Sequence, residues 1–227
     1  MLEVFDSPDL ACRAAAATIA CSARECIAER GRFLVAFSGG RSPARMLSAL
    51  AGEDLPWNFV HVFQVDERVA PAGHSDRNLT GLKANLLEHV AIPPMQIYPM
   101  PVESANLSAA SSAYERTLAK AAGRPPLLDL VHLGLGEDGH TASLVPHDPV
   151  VDIKGSEVAV TGAYQGRRRM TMTYPILNRA RERLWLVLGE QAADALTRML
   201  EGDTSIPAGR VKRENSTVFA DKDAAQR

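Results

Sequence analysis

Short apolar runs that resemble buried strands alternate with helix-like segments along nearly the whole chain. This alternation is typical of an α/β sandwich, in which helices cover both faces of a largely parallel sheet. We predict this fold for residues 1–227 as a single domain, because no repeat, low-complexity tract or long linker marks a boundary. The helices are predicted at 8–30, 42–50, 76–89, 107–122, 175–181 and 190–201, and the strands at 32–38, 59–65, 96–100, 127–133, 157–161, 168–173, 183–188 and 217–220. A loop is expected at 66–75 and a short helix within 134–145.

The charge balance argues against two classes of partner. The chain has 25 basic and 27 acidic residues, so its formal net charge is −2, whereas nucleic-acid-binding proteins usually carry a basic excess. The same balance argues against an anionic membrane surface, and no run of about 18 apolar residues could span a bilayer. The N-terminal residues lack the basic start and apolar block of a signal peptide, so we expect a cytoplasmic protein.

The cysteine and histidine patterns indicate neither a disulfide nor a metal site. Cys12, Cys21 and Cys26 fall within one predicted helix and match no zinc-binding spacing, so they are expected to be reduced thiols. The six histidines form no HExxH pair, and we expect no metal.

Ligands of parallel sheets bind beyond the carboxyl ends of the strands, so we expect the ligand-binding residues in the loops that follow the strands. The first such loop, at 38–43, carries Gly39, Gly40 and Arg41 before the next helix. The glycines allow close approach of a ligand, the free N–H groups of a helix start favour an anion, and Arg41 adds positive charge. The alternative is a plain tight turn with a surface arginine.

Two further segments place charged residues near strand ends. Asp66, Glu67 and Arg68 follow a predicted strand and form either part of an active site or a solvated ion cluster. The arginine run at 167–169 lies on another predicted strand, where alternation places Arg167 and Arg169 on one face and Arg168 on the other. That face could meet an anion, or the run could be a solvated edge.

The segment from Gly134 to Gly139 satisfies the GxGxxG pattern of dinucleotide-binding loops, but we interpret the match as coincidental. Glu137 and Asp138 would place negative charge where a pyrophosphate must sit, and Pro146 leaves little room for the helix that should follow. The glycines instead let His140 project into the cleft as a general base, with Asp138 or Glu137 fixing its tautomer. The alternative is a structural histidine that caps a following short helix.

Five blocks in this order carry a resemblance to a known family: FSGGRSP at 37–43, VDERVAP at 65–71, SDRN at 75–78, LGLGEDGHTASLVP at 133–146 and RRMTMTYPILNRAR at 168–181. Along nearly its whole length the chain resembles the 6-phosphogluconolactonases. The resemblance implies hydrolysis of 6-phospho-D-glucono-1,5-lactone to 6-phosphogluconate in the oxidative pentose phosphate pathway. It also implies the Rossmann-like three-layer sandwich shared with glucosamine-6-phosphate deaminases, with no bound nucleotide, no metal and no other cofactor.

Together, the resemblance and the loops give a candidate site. His140 is the expected base and Asp138 its orienting residue, while Gly39, Gly40 and Arg41 could stabilise the oxyanion and Asp66 is placed among the substrate-binding residues. Arg68 and Arg169 could bind the 6-phosphate, although the sequence leaves open which arginine binds phosphate and which polarises the carbonyl. Related sugar-phosphate enzymes commonly carry a Gly-x-x-Lys pattern, and here Ala192 occupies the lysine position, so phosphate binding must depend more on the arginines.

Single features of the sequence are compatible with three other functions. A glucosamine-6-phosphate deaminase would resemble DGHIAFNEP after the same aspartate, and the residues here, from Thr141 to Pro146, lack that further acid. A non-catalytic sugar-phosphate sensor usually carries a DNA-binding segment, and no basic helix-turn-helix precedes the first motif. A dinucleotide-dependent oxidoreductase has only the GxGxxG match to support it. The expected partner is a small sugar-phosphate lactone, and the oligomeric state, monomer or small homo-oligomer, is left open.

Overall fold

The computed structural model describes residues 1–226, so Arg227, the last residue of the predicted domain, lies outside the described residues. The ten strands described are β1 (Leu2–Phe5), β2 (Phe33–Phe37), β3 (Val60–Gln64), β4 (Asp66–Arg68), β5 (Ile97–Tyr98), β6 (Leu130–Gly134), β7 (Val158–Val160), β8 (Arg169–Met172), β9 (Glu182–Val187) and β10 (Ser216–Asp221). The six α-helices described are α1 (Pro8–Arg30), α2 (Arg41–Ala51), α3 (Asn78–Leu82), α4 (Leu107–Ala122), α5 (Tyr174–Arg179) and α6 (Ala193–Glu201).

Seven strands form one parallel sheet in the order β1-β10-β9-β6-β2-β3-β5. Its two faces are buried in separate cores, one against α1 and α2 and the other against α4, α5 and α6. Strand β2 shows why: Phe33, Val35 and Phe37 enter the first core, and Leu34 and Ala36 enter the second. A strand that is apolar at every position fits only a sheet covered on both faces, which confirms the predicted α/β sandwich.

Helix α1 begins and ends where its sequence directs. The side chain of Ser7 accepts a hydrogen bond from the backbone N–H of Leu10 (3.3 Å), and Pro8 occupies the first turn. Gly31 closes the helix with φ 74°, and its N–H donates to the carbonyl of Ile27. Cys12 and Cys26 are buried on this helix and Cys21 is exposed, all three as free thiols.

The structure differs from the predicted elements in five places. The helix predicted at 76–89 is an α-helix only over Asn78–Leu82 and continues as a π-helix over Lys83–Leu87. Strand β1 was not predicted, because it is short and lies at the sheet edge. The predicted loop at 66–75 begins instead with β4, which pairs antiparallel with β8. Strands β7 and β8 are confirmed as strands but belong with β4 to a separate antiparallel sheet in the order β4-β8-β7. After Gly134, which ends β6, residues 135–145, all described, form turns and an isolated bridge rather than the expected short helix. Positive φ angles at Gly139 (81°) and Ala142 (54°) interrupt any helix there.

The strand order reverses direction between β2 and β6, which are neighbours in the sheet. From β2 the chain proceeds outward to β3 and β5, and from β6 it proceeds the opposite way to β9 and β10. The loops after β2 and β6 therefore diverge to opposite faces and leave a crevice between them, which is where open α/β sheets bind ligands. Among the described helices, none is long and apolar enough to cross a membrane.

His132 is a fully buried titratable residue in β6. Neither of its ring nitrogens has a hydrogen-bond partner among residues 1–226, and its ring lies 6.3 Å from that of Phe37. Burial lowers the pKa of His132 to about 3, from an ordinary 6.5. The folded protein therefore keeps this imidazole neutral at pH values where the unfolded chain would protonate it.

This difference predicts a pH-dependent stability. As the pH falls below 6.5 towards 3, the unfolded state takes up a proton at His132 that the folded state does not, so the free energy of unfolding decreases. The contribution of one such group approaches about 1.4 kcal/mol per pH unit. His132→Leu should show a correspondingly shallower decrease in urea titrations between these pH values, and the exposed-site variant His89→Gln should retain the wild-type slope. Equal slopes for His132→Leu and wild type would contradict the neutral buried state.

Candidate active site

A cavity of about 310 Å³ occupies the crevice at the switch point of the sheet. It is bounded by the loops that follow β2, β6 and β9, and by side chains from β4 and β8. The predicted residues that line it are Gly39, Gly40, Arg41, Asp66, Arg68, His140 and Arg169. Asp138 is outside the lining and is hydrogen-bonded to His140, and Glu67 is also outside the lining. The structure thus brings together residues from four separate sequence blocks.

His140 and Asp138 form a hydrogen-bonded pair at one wall of this cavity. The Nδ1 atom of His140 lies 2.6 Å from Oδ1 of Asp138, and the backbone N–H of His140 donates to the same oxygen (3.0 Å). A carboxylate beside Nδ1 favours the tautomer that carries its proton there, which leaves Nε2 able to accept a proton. Partial burial opposes ionisation of Asp138, but the hydrogen bonds from His140 outweigh it and hold the pKa of the carboxyl well below its ordinary value.

Two glycines shape the loop that presents His140. A Cβ atom at Gly136 would lie 2.1 Å from Nδ1 of His140, so only glycine lets the ring occupy this position. Gly139 has φ 81°, and a Cβ atom there would lie 2.6 Å from the side chain of Ile206. Within the GxGxxG match, Gly136 therefore accommodates the His140 ring and Gly139 accommodates the Ile206 side chain. Residues 141–145, all of which are described, contain no helix. His140 therefore does not cap a following helix, which was the alternative to a catalytic role.

The loop after β2 leads into the open start of α2. No described side chain caps its first turn, and no acidic residue lies there. Gly40 has φ 122°, and a Cβ atom at Gly39 would lie 2.0 Å from Oδ1 of Asn78. Both glycines are therefore required, and the helix offers backbone N–H groups to an anion beside Arg41.

Arg68 and Arg169 face each other across the antiparallel pair of β4 and β8. Arg169 is only 3% exposed, and its guanidinium donates to Oε1 of Gln165 (3.2 Å). Arg68 donates to the backbone carbonyl of Asp76 (3.0 Å). The buried Nε atoms of both arginines have no hydrogen-bond partner among residues 1–226. Burial, and then the neighbouring charge of Arg68, lower the pKa of Arg169, so the pair is suited to bind an anion.

Asp66 lines the cavity, but its carboxylate is already engaged. Its Oδ2 atom accepts a hydrogen bond from the Ser143 hydroxyl (2.6 Å), and its Oδ1 atom accepts one from the Asn78 amide (3.1 Å). The Ser143 hydroxyl also lies 3.5 Å from a guanidinium nitrogen of Arg169. Asp66 therefore links the loops after β3 and β6 within the protein.

The fully buried carboxylate of Glu67 fixes the backbone on either side of these residues. It accepts hydrogen bonds from the Gln64 side chain and from the backbone N–H groups of residues 68, 78 and 79, at 2.7–2.9 Å. It also lies 3.1 Å from Nε of Arg77 in an ion pair. The sequence placed Glu67 among possible site residues, and the structure shows it turned away from the cavity into the protein.

Several residues of the site were not singled out from the sequence. Tyr164 contacts Asp138, His140 and Arg169 from the turn before β8, and Ser143 lies within the third loop. Gln165, next to Gly166, could have indicated a tight hairpin turn, although not its hydrogen bond to Arg169. Gln191 and Ala192 also line the cavity, so the position at which the Gly-x-x-Lys pattern leads us to expect a lysine lies at this cavity and carries a methyl group.

A histidine–carboxylate pair beside clustered arginines, at the switch point of a parallel sheet, defines an α/β protein suited to base chemistry on an anionic ligand. The sequence model of the glucosamine-6-phosphate isomerases/6-phosphogluconolactonase family matches residues 6–220, and the chain belongs to this family.

Individual relatives agree with this assignment. A 6-phosphogluconolactonase of Synechocystis sp. is 42% identical over 174 residues, which cover 75% of this chain and 72% of that protein. A 6-phosphogluconolactonase of Mycobacterium tuberculosis is 36% identical over 238 residues, covering 99% and 96%. The solved structure of a 6-phosphogluconolactonase from Thermotoga maritima superposes with a TM-score of 0.85 at 27% identity and covers 97% of each chain. A monomeric glucosamine-6-phosphate deaminase shares the fold, with a TM-score of 0.86 at 17% identity over 99% of this chain and 98% of that one.

The contact between Gly136 and the His140 ring yields a direct prediction. Gly136→Ala should displace the ring and break the hydrogen bond to Asp138, because the added methyl group cannot fit beside Nδ1. Nitrogen NMR of the imidazole should show Nδ1 protonated in the wild type and a mixture of tautomers in the variant. Gly155→Ala is the matched control, since a Cβ atom there meets nothing within 4 Å. An unchanged imidazole spectrum in Gly136→Ala would contradict the close packing.

Proposed function

We propose that this protein hydrolyses 6-phospho-D-glucono-1,5-lactone to 6-phosphogluconate, in the oxidative pentose phosphate pathway, with His140 as general base. The observation that carries the proposal is the His140–Asp138 pair at a cavity that also contains Arg41, Arg68 and Arg169. The names of the relatives support the same type of enzyme. In this role the chain is one catalytic domain of a cytoplasmic enzyme that acts on a small molecule and needs no metal or other cofactor.

The reaction requires one proton acceptor that later becomes a proton donor. Nε2 of His140 takes a proton from water as the water oxygen attacks C1 of the lactone, forming a tetrahedral oxyanion. The oxyanion collapses, the bond between C1 and the ring oxygen breaks, and the imidazolium returns the proton to the departing ring oxygen. The products are the carboxylic acid, which ionises at neutral pH, and the C5 hydroxyl group. Asp138 keeps the imidazole in the correct tautomer and stabilises the imidazolium.

The arginines supply the charge that the substrate requires. A 6-phosphate bound between Arg68 and Arg169 would pair two guanidinium groups that otherwise repel each other across the strands. Arg41 and the backbone N–H groups after Gly39 would then stabilise the oxyanion near C1. This division assigns the phosphate to the antiparallel sheet and the lactone carbonyl to the start of α2.

Replacing the proposed base tests the reaction. His140→Ala should lower kcat about 10²–10⁴-fold, the usual contribution of general-base catalysis, while KM changes little. The measurement is lactone hydrolysis corrected for spontaneous ring opening, with circular dichroism to confirm the fold. His147→Ala, at an exposed histidine outside the cavity lining, is the control. Hydrolysis by His140→Ala at the wild-type rate would refute the general-base role.

Charge reversal tests phosphate binding separately. Arg169→Glu should raise KM for the phosphorylated lactone at least about tenfold, because it replaces a phosphate-binding charge with a repulsive one. Activity towards unphosphorylated D-glucono-1,5-lactone should change much less. Arg168→Glu reverses the neighbouring, exposed charge and should leave both substrates unaffected. An unchanged KM in Arg169→Glu would remove this residue from the phosphate site.

A further inference from the structure

A tight hairpin joins β7 to β8 beside the cavity. Its turn residues, Gln165 and Gly166, have φ 52° and 78°, and the backbones of Tyr164 and Arg167 are hydrogen-bonded to each other in both directions (2.9 and 3.2 Å). Positive φ angles at both turn residues are typical of the two-residue turn whose twist matches that of its strands. The turn therefore gives Tyr164 a defined position at the end of the hairpin.

Tyr164 contacts both functional halves of the site. Its hydroxyl donates to Oδ2 of Asp138 (3.0 Å), the carboxylate oxygen that His140 does not use. Its ring meets the His140 ring edge-on, with centroids 5.4 Å apart. The guanidinium carbon of Arg169 lies over the same ring, 4.9 Å from its centroid. One side chain thus touches the carboxylate, the base and the arginine.

The hairpin also forms an ion pair with Asp76, the residue whose backbone contacts Arg68. Arg167 binds Oδ2 of Asp76 through two guanidinium nitrogens (2.9 and 3.0 Å). The backbone carbonyl of Asp76 in turn accepts the hydrogen bond from Arg68. The same hairpin therefore positions Arg169 through Tyr164 and Gln165, and Arg68 through Asp76.

We propose that Tyr164 is a positioning residue that acts through Asp138 on His140 and, separately, through its ring on Arg169. This inference rests on the proposed role of His140 as general base. The hydroxyl restricts rotation of the Asp138 carboxylate, so that Oδ1 stays aligned with Nδ1 of His140. It also withdraws part of the negative charge that would otherwise stabilise the imidazolium. The ring covers one face of the Arg169 guanidinium and keeps it directed into the cavity.

Other charged groups face His140 from each element around it and set the background for any pH effect. They are Glu137 and Asp138 on its own loop, Tyr164 in the hairpin, Arg169 on β8, Asp66 and Arg68 on β4, and Arg41 across the cavity. Burial and the hydrogen bond to Asp138 raise the pKa of Tyr164, so its hydroxyl remains a donor at neutral pH. Tyr164→Phe consequently changes one hydrogen bond and leaves every formal charge in this set intact.

The decisive experiment compares Tyr164→Phe and Tyr164→Leu with the wild type. Loss of the hydroxyl in Tyr164→Phe should lower kcat about fivefold, the usual effect of one hydrogen bond. It should also move the acidic limb of the kcat/KM profile to higher pH, because the unshared Asp138 charge stabilises the imidazolium more. KM should stay within about twofold, since the ring still packs against Arg169. Tyr164→Leu should show the same kcat and pH effects and, in addition, a KM raised about fivefold or more.

Two controls separate this role from a merely structural one. Tyr174→Phe removes the hydroxyl that donates to the Pro207 carbonyl away from the cavity, and should leave kcat, KM and the pH profile unchanged. In an Asp138→Asn background, adding Tyr164→Phe should not move the acidic limb further, because the intermediate carboxylate is gone. A further shift of the same size in that background would overturn the route through Asp138.

The outcomes also distinguish this inference from the proposed function. If His140→Ala loses turnover but Tyr164→Phe matches the wild type in kcat and pH profile, the positioning role is wrong and the general-base role stands. If Tyr164→Leu leaves KM unchanged, the ring does not support Arg169. If His140→Ala keeps full turnover, the general-base role fails and the positioning role fails with it.

Discussion

The geometry of the site depends on the hydrogen bonds and the ion pair that the buried carboxylate of Glu67 forms. A charge that is removed from water is tolerated only when it is fully paired, and Glu67 meets donors from β3, β4 and the start of α3 together with Arg77. If β4 or the start of α3 moved away, several of these donors would be lost and the buried charge of Glu67 would be left unpaired, which would destabilise the fold. Because side chains alternate along a strand, fixing Glu67 inward turns Asp66 and Arg68 towards the cavity.

The second sheet places like charges opposite each other. Arg68 and Arg169 are direct partners in the register of β4 and β8, an arrangement that destabilises a sheet when no counter-ion is present. This unfavourable pairing occurs where the Nε atoms of both arginines have no hydrogen-bond partner among the described residues. The global net charge of −2 conceals this local concentration, because acidic residues elsewhere compensate for it.

The sequence predicts the parallel sheet better than the antiparallel one, for a physical reason. Strands such as β2 are buried on both faces and read as continuous apolar runs, whereas β4 consists of Asp66, Glu67 and Arg68 and resembles a polar loop. Its strand character comes from pairing with β8, more than 100 residues away, which no local pattern encodes.

The same limit applies to the site. The sequence predicts a carboxylate partner for His140 in Asp138 or Glu137, two or three residues before it, and the structure shows that the partner is Asp138. Tyr164 is 26 residues from Asp138, and its contact depends on how the hairpin folds over the parallel sheet. The position of Ala192 in the cavity wall was inferred from a family pattern, but its spatial relation to the arginines required the fold.

The close approach of Gly39 to Asn78 has a consequence for how this site can vary. The Asn78 side chain occupies the space that a Cβ atom at position 39 would need, while its backbone N–H binds Glu67 and its amide binds Asp66. The loop after β2 and the start of α3 are therefore packed so closely that a change in one requires a matching change in the other. If the loop after β2 were replaced by that of a relative, residue 78 would have to be replaced by the relative's residue as well. These two segments, distant in the sequence, therefore have to vary together.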